Sequence, residues 1–279
     1  MEYRDLFVVE PDQKLRLNKM DPDFKGHHET EESAASATAY YLEKLHQLQA
    51  LLSAQKEHSA LIVLQALDAG GKDGTIKHVF DAFNPQGASV TSFRVPTPIE
   101  LEHDFLWRVH SHAPGKGQIA IFNRSHYEDV LVTRVHRQID KDTWKERCAL
   151  IRHFERGLAL SGTLILKFFL HISPAEQLAR FEQRLNDPTR NWKISESDYA
   201  ERELWDDYTE AFEETLSETS THRAPWYVIP ANHKWFRNLA VSQIVAETLE
   251  ELDLAFPEPT VDLADIRLRY HHALDIEQA

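Results

Sequence analysis

"SALIVLQALDAGGKDGTIKHVFDAF", residues 59–83, decides the fold. Residues 59–67 are almost continuously apolar and rich in branched side chains, as a strand buried on both faces must be. The polar turn 68–74 ends that run. Ile76, Val79, Phe80 and Phe83 then recur at i, i+3, i+4 and i+7, which places them on one helix face. A strand, a glycine-bearing turn and a helix together present free backbone N–H groups to an anion. Gly70 and Gly71 allow the backbone to approach a phosphate, Lys72 adds a charge at the helix start, and Ala69, Asp73, Gly74 and Thr75 complete the loop. Two positions depart from the phosphate-loop pattern G-x-x-x-x-G-K-[ST]: Ala66 stands at the first glycine and Asp73 at the hydroxyl. A metal ion that would use that hydroxyl must find oxygen elsewhere, and Asp68 at the strand's end is the obvious substitute. The alternative, a tight βα turn with an incidental lysine, has to treat the ordered succession of strand, glycines, lysine and helix as chance.

Outward from this segment, strands are expected at 88–93, 117–123, 162–173 and 226–231. Helices are expected at 31–57, 98–112, 141–160, 174–186, about 198–218 and 233–252, with a loop at 187–197. Alternation of this kind predicts a three-layer α/β fold around a five-stranded parallel sheet. Three regions result: a helical N-terminal arm (1–58), a catalytic domain (59–253) and a tail without clear period (254–279). Composition narrows the class. Of 279 residues 42% are apolar, enough for a core, yet no apolar run reaches the roughly 18 residues of a membrane span. No secretory signal is visible, and the one cysteine, Cys148, excludes an internal disulfide and a Cys-rich zinc site, so a cytoplasmic setting is expected. The 31 Lys+Arg face 45 Asp+Glu, a net −14, which argues against nucleic-acid or anionic-membrane binding.

A second chemical cluster lies in "IFNRSHYEDVLVTRVHR" (121–137), after the third strand. Ligands of parallel sheets gather beyond the carboxyl ends of strands, so Asn123, Arg124, Glu128 and Asp129 should share a crevice with Lys72. Acids there can hold magnesium, and Arg124 suits a bidentate clamp on phosphate. The same residues also read as a helix start, with Ser125 as N-cap and Glu128 closing a capping box. Arg180 and Arg184 stand four apart on the 174–186 helix, followed by Lys193 beside Trp192. They read either as a solvated basic face paired with Glu176 and Glu182, or as a clamp on a moving phosphoryl group. Sixteen histidines include no H-E-x-x-H, and none is assigned to metal.

"LDAGGKDGTIKHVF", "HDFLWRVH", "FNRSHYEDVLVTRV", "FLHISPAEQLARFEQRL", the P-x-x-x-W-K at 188–193 and "APWYVIPANHKWFRN" (224–238) together resemble the polyphosphate kinase 2 family, from about residue 60 to 245. The resemblance implies a P-loop kinase fold, inorganic polyphosphate as donor or acceptor, adenine and also guanine nucleotides, magnesium with manganese as an alternative, and a mobile helical lid at about 175–218. A homo-oligomer, dimer or tetramer, is expected. N-R-S-H-Y-E at 123–128, in place of D-R-S-W-Y-N, is similar to the subgroup that phosphorylates both AMP and ADP. On this reading Asp68, Lys72, Asn123, Arg124, Glu128 and Arg184 are catalytic. Residues 69–75 with Arg134, Arg180 and Lys193 bind phosphate, and Asp68, Glu128 and Asp129 hold metal. The rivals are an ATP-dependent nucleoside-monophosphate kinase and a non-catalytic nucleotide- or polyphosphate-binding module.

Overall fold

The computed structural model describes residues 2–278. Its element order is α1 (Tyr3–Phe7), β1 (Val8–Val9), α2 (Glu31–Gln55), β2 (Ser59–Gln65), α3 (Lys72–Val79), β3 (Ala88–Ser92), α4 (Pro98–Leu101), α5 (Trp107–His110), β4 (Ile119–Asn123), α6 (Glu128–Val135), α7 (Lys141–Leu160), β5 (Thr163–His171), α8 (Pro174–Asn186), α9 (Glu196–Glu203), α10 (Trp205–Thr219), β6 (Trp226–Pro230), α11 (Lys234–Glu250) and α12 (Leu263–Glu277). The strands form one sheet in the order β1-β6-β5-β2-β4-β3. β2 through β6 are parallel, with Ile62 opposite both Ile121 and Leu166 at the centre. The sixth strand is a correction to the five expected: Val8 and Val9 pair antiparallel with Tyr227 and Trp226. Two residues carry no period, so the sequence cannot announce such a strand.

Strand alternation sorts the core into two layers. Ile62, Leu64, Leu166, Phe168 and Ile229 face α2, α3 and α11, while Leu61, Val63, Ile165, Phe169 and Val228 face α6, α7 and α10. Every β2 residue is buried, which is why its apolar run is unbroken. The helix expected over 98–112 is interrupted, because Asp104 accepts a bond from the Leu106 N–H (3.0 Å) and competes with the helical ladder. The helix expected at 198–218 is two, divided at Leu204. The tail carries a helix after all, α12, capped by Asp262 accepting from the Ala264 N–H (2.8 Å), and none of its residues is buried. Among the described residues no helix is long and apolar enough to cross a membrane. The topology leaves the ends of β2 and β4 adjacent, so the loops at 66–75 and 124–128 meet.

Candidate active site

The 66–75 loop turns on two left-handed residues, Ala69 (φ +59°) and Gly71 (φ +106°). A non-glycine residue in this region stores about 1 kcal/mol of strain, which surrounding contacts must hold. Lys72 donates to the Ala66 carbonyl (2.8 Å), and burial, with Arg124 close by, pushes its ammonium below the ordinary lysine range. Thr75 is buried and its hydroxyl donates to the Gly71 carbonyl (3.2 Å), so it braces the loop and offers no side-chain contact to phosphate. Asp73 accepts from Asn123 Nδ2 (2.9 Å) and lies 3.6 Å from Lys193 Nζ. Burial opposes its ionisation, but those two partners hold its carboxyl below the usual range.

Beyond β4, Arg124 also adopts a left-handed conformation (φ +60°), its N–H donating to the Leu64 carbonyl (3.1 Å). Its guanidinium lies 3.2 Å from Asp68 and 3.8 Å from Glu128. Burial raises the Glu128 carboxyl, against the pull of Arg124 and Lys72. The expected capping box is absent. α6 starts at Glu128 with Tyr127 as N-cap, and Ser125 Oγ accepts instead from the Tyr127 N–H and Gln65 Nε2, each at 3.2 Å. Asp129 lies beside Arg108 (3.5 Å), an arginine that also ties down the Arg94 carbonyl (2.8 Å), and its Oδ2 is buried without a hydrogen-bond partner. No group of three or more His, Cys, Asp or Glu side chains placed to hold a metal occurs among the described residues. Two carboxylates, Asp68 and Glu128, do flank one guanidinium beside the loop, and a hard cation at a phosphate site takes one or two carboxylates with phosphate and water oxygens for the rest. That donor set fits magnesium.

The basic residues divide in a way their spacing does not reveal. Arg184 and Lys193 line the same cleft as the loop, a space of about 540 Å³ bounded also by Phe93, Arg94, Asn123 and Arg124. Arg184 donates to the Lys193 carbonyl (2.9 Å), which joins α8 to the segment after it. Arg180, four residues earlier, is buried and donates to the Ala69 carbonyl (2.7 Å) and the Asn232 carbonyl (3.1 Å), with Glu176 at 2.6 Å. It is a brace behind the loop rather than a phosphate ligand. We expect Arg180→Ala to lower stability by about 2–4 kcal/mol, because several backbone acceptors lose their donor at once. Chemical denaturation checks this. Arg134 is likewise corrected: it pairs with Glu214 (2.6 Å) and lies over the Trp144 ring (4.5 Å), outside the cleft.

Arg237 escaped the sequence reading. Its only mark there is a place within "APWYVIPANHKWFRN". It is 2% exposed and bonded to Asn238 Oδ1 (2.8 Å), and it lies against Gly71 and Gly74 of the loop. Burial and the neighbouring Arg180 push its guanidinium down to about 9. Of the segment assigned as a lid, Arg180 and Phe181 on α8 and Tyr208, Phe212 and Leu216 on α10 are packed into the body, whereas 182–207 holds no buried residue. A larger hollow of about 1140 Å³ lies elsewhere, between residues 11–16 and helices α7 and α10. It is lined by Glu210, Glu213, Glu214 and Glu218 but also by Lys14, Arg16, Lys141, Lys145 and Arg152, and it holds none of the loop residues.

Comparison with known proteins agrees with this fold. The family described as Polyphosphate kinase 2 (PPK2) matches residues 28–257. The chain is 53% identical over 254 residues to the AMP/ADP-polyphosphate phosphotransferase of Meiothermus ruber, covering 91% of this chain and 95% of that protein. It is 44% identical over 266 residues to the ADP-polyphosphate phosphotransferase of Rhodopseudomonas palustris, covering 91% and 92%. The crystal structure of Polyphosphate Kinase 2 from Arthrobacter aurescens TC1 superposes with a TM-score of 0.93 at 38% identity, over 99% of this chain and 97% of that one.

Proposed function

The chain belongs to the polyphosphate kinase 2 family, and we propose that it moves phosphoryl groups between inorganic polyphosphate and both AMP and ADP, forming ADP and ATP. The observation that carries this reading is the convergence of the glycine loop, Arg124 between two carboxylates, and Arg184 with Lys193 in one cleft. Phosphoryl transfer needs alignment and charge neutralisation more than covalent help. The loop amides of 70–74 and Lys72 seat phosphate oxygens. Arg124 and Arg184 lie where they can neutralise the transferring group, and Asn123 fixes Asp73 at the rim. No general base is required, since the attacking oxygen of AMP or ADP is already anionic near neutral pH. Magnesium, or manganese in its place, would be held by Asp68 and Glu128 and would supply charge neutralisation between donor and acceptor phosphates. Guanine nucleotides are accepted on the same argument, because the charged groups of the cleft address phosphates. A homo-oligomer is supported by Leu263, Ile266 and Tyr270, exposed at i, i+3 and i+7 on α12, a helix with no buried residue whose length leaves it marginal alone.

The test is incubation of AMP, long-chain polyphosphate and magnesium without ATP, followed by nucleotide chromatography. ADP then ATP should appear in succession. Transfer from ATP but none from polyphosphate would hand the assignment to an ordinary nucleotide kinase. The metal assignment separates two neighbouring acids. Asp68→Asn should reduce turnover about 10²-fold or more and raise the magnesium requirement. Asp129→Asn should instead lower the melting temperature, by leaving Arg108 buried without its counterion, and keep the magnesium dependence. Magnesium titrations of both variants, read beside thermal melts, decide it.

A further inference from the structure

Arg124 faces the cleft with its side chain 43% exposed, yet the next three residues, Ser125, His126 and Tyr127, are completely buried. Two of them, His126 and Tyr127, are anchored on α7. Tyr127 donates to Glu155 Oε1 (2.7 Å), and His126 Nε2 lies 3.3 Å from the same oxygen. Lys167 then uses all three of its donors: on Glu155 Oε2 (2.7 Å), the Tyr127 hydroxyl (2.8 Å) and the Thr219 carbonyl (2.8 Å). Tyr127 also meets the Trp226 ring edge-on at 4.7 Å. One carboxylate thus ties α7, β5, the end of α10 and the turn after β4 into a single network.

A buried ion pair adds little stability over a well-packed apolar pair of the same volume. Its worth here lies in direction. The left-handed turn at Arg124 is strained, and strain persists only where neighbours over-determine it. Carboxylate bonds to the residues two and three places beyond that turn supply this determination, and His126 makes no other side-chain hydrogen bond, its Nδ1 being buried without a partner. We propose that the Glu155–Lys167 pair is the positioning device for Arg124: it fixes the 125–127 turn so that the guanidinium is held between Asp68 and Glu128 before substrate arrives. This rests on the phosphotransfer reading above.

The experiment is a double-mutant cycle with two readouts, kcat for polyphosphate-driven transfer and the affinity for tripolyphosphate by calorimetry. It compares the wild type, Arg124→Ala, the pair Glu155→Leu with Lys167→Met, and all three together. The pair should lower both readouts about 10-fold or more, because a displaced clamp loses alignment, and should lower the melting temperature as well, because the Tyr127 hydroxyl, His126 Nε2 and the Thr219 carbonyl lose their partners. In the Arg124→Ala background the same pair should change neither by more than about 2-fold, since effects that pass through one residue do not add. Losses that multiply in that background, or a stable pair variant with wild-type kcat and affinity, overturn the proposal. Should the pair variant not fold, Tyr127→Phe removes a single hydroxyl and must show the same coupling on a smaller scale. A wild-type chain inactive with polyphosphate would defeat the functional reading, while the affinity cycle would still decide the anchor.

Discussion

Arg124→Ala is expected to lower kcat about 10³-fold, within the range seen when an arginine that neutralises a transferring phosphoryl group is removed. The geometry gives the reason. The guanidinium stands between Asp68 (3.2 Å) and Glu128 (3.8 Å), so it shields two acids from each other and is held in one orientation before any phosphate arrives. The native fold should survive, because the side chain is 43% exposed and its backbone bond to Leu64 does not depend on it. A melting temperature close to that of the wild type is the accompanying result. Arg124→Lys should recover only part of the rate: an ammonium carries the charge but cannot reach two oxygens in one plane. Initial rates at saturating magnesium and polyphosphate, with melts on the same preparations, measure both quantities. Near-normal turnover in Arg124→Ala would remove this residue from the mechanism and place the neutralising charge on Arg184.

What the sequence discloses and what it conceals follow from how local each feature is. The βα unit at 59–83 is legible because burial on both faces leaves an apolar run and the helix leaves a period near 3.6 residues. Asn123, Arg124 and Glu128 are legible because strand ends in a parallel sheet share one side. Arg180 and Arg184 look equivalent in spacing, and only the packing of α8 against Ala69 and Asn232 turns the first inward. Asp129 sits one residue beyond Glu128, and a helix step of about 100° per residue is enough to turn it toward Arg108. Arg237 lies 166 residues from Gly71, a separation at which no pattern speaks. Val8 and Val9 are too few to show alternation.

Gly71→Ala should be the most damaging single-methyl change in the loop. Two independent penalties act there. The backbone sits at φ +106°, which an L-residue adopts only with strain, and a Cβ would lie 2.0 Å from Arg237 Nη1 and 3.1 Å from its Cζ. Arg237 cannot swing aside, since it is 2% exposed and bonded to Asn238. Displacing it would also disturb Gly74, whose own Cβ position lies 3.1 Å from Arg237 Nη2. Stability should fall by about 2–4 kcal/mol, of which roughly 1 kcal/mol is the conformational part. Affinity for tripolyphosphate should fall with it, because the amides that seat phosphate are those the displacement rotates. Gly157→Ala is the matched control: it lies within α7 with nothing within 4 Å of its Cβ position, and should be neutral or stabilising by about 0.5–1 kcal/mol. Combining Gly71→Ala with Arg237→Ala separates the two penalties, since shortening the arginine removes the overlap but leaves the backbone angle. Partial recovery of stability without recovery of tripolyphosphate affinity is the expected outcome. Wild-type affinity in Gly71→Ala alone would mean that phosphate is seated somewhere other than this loop.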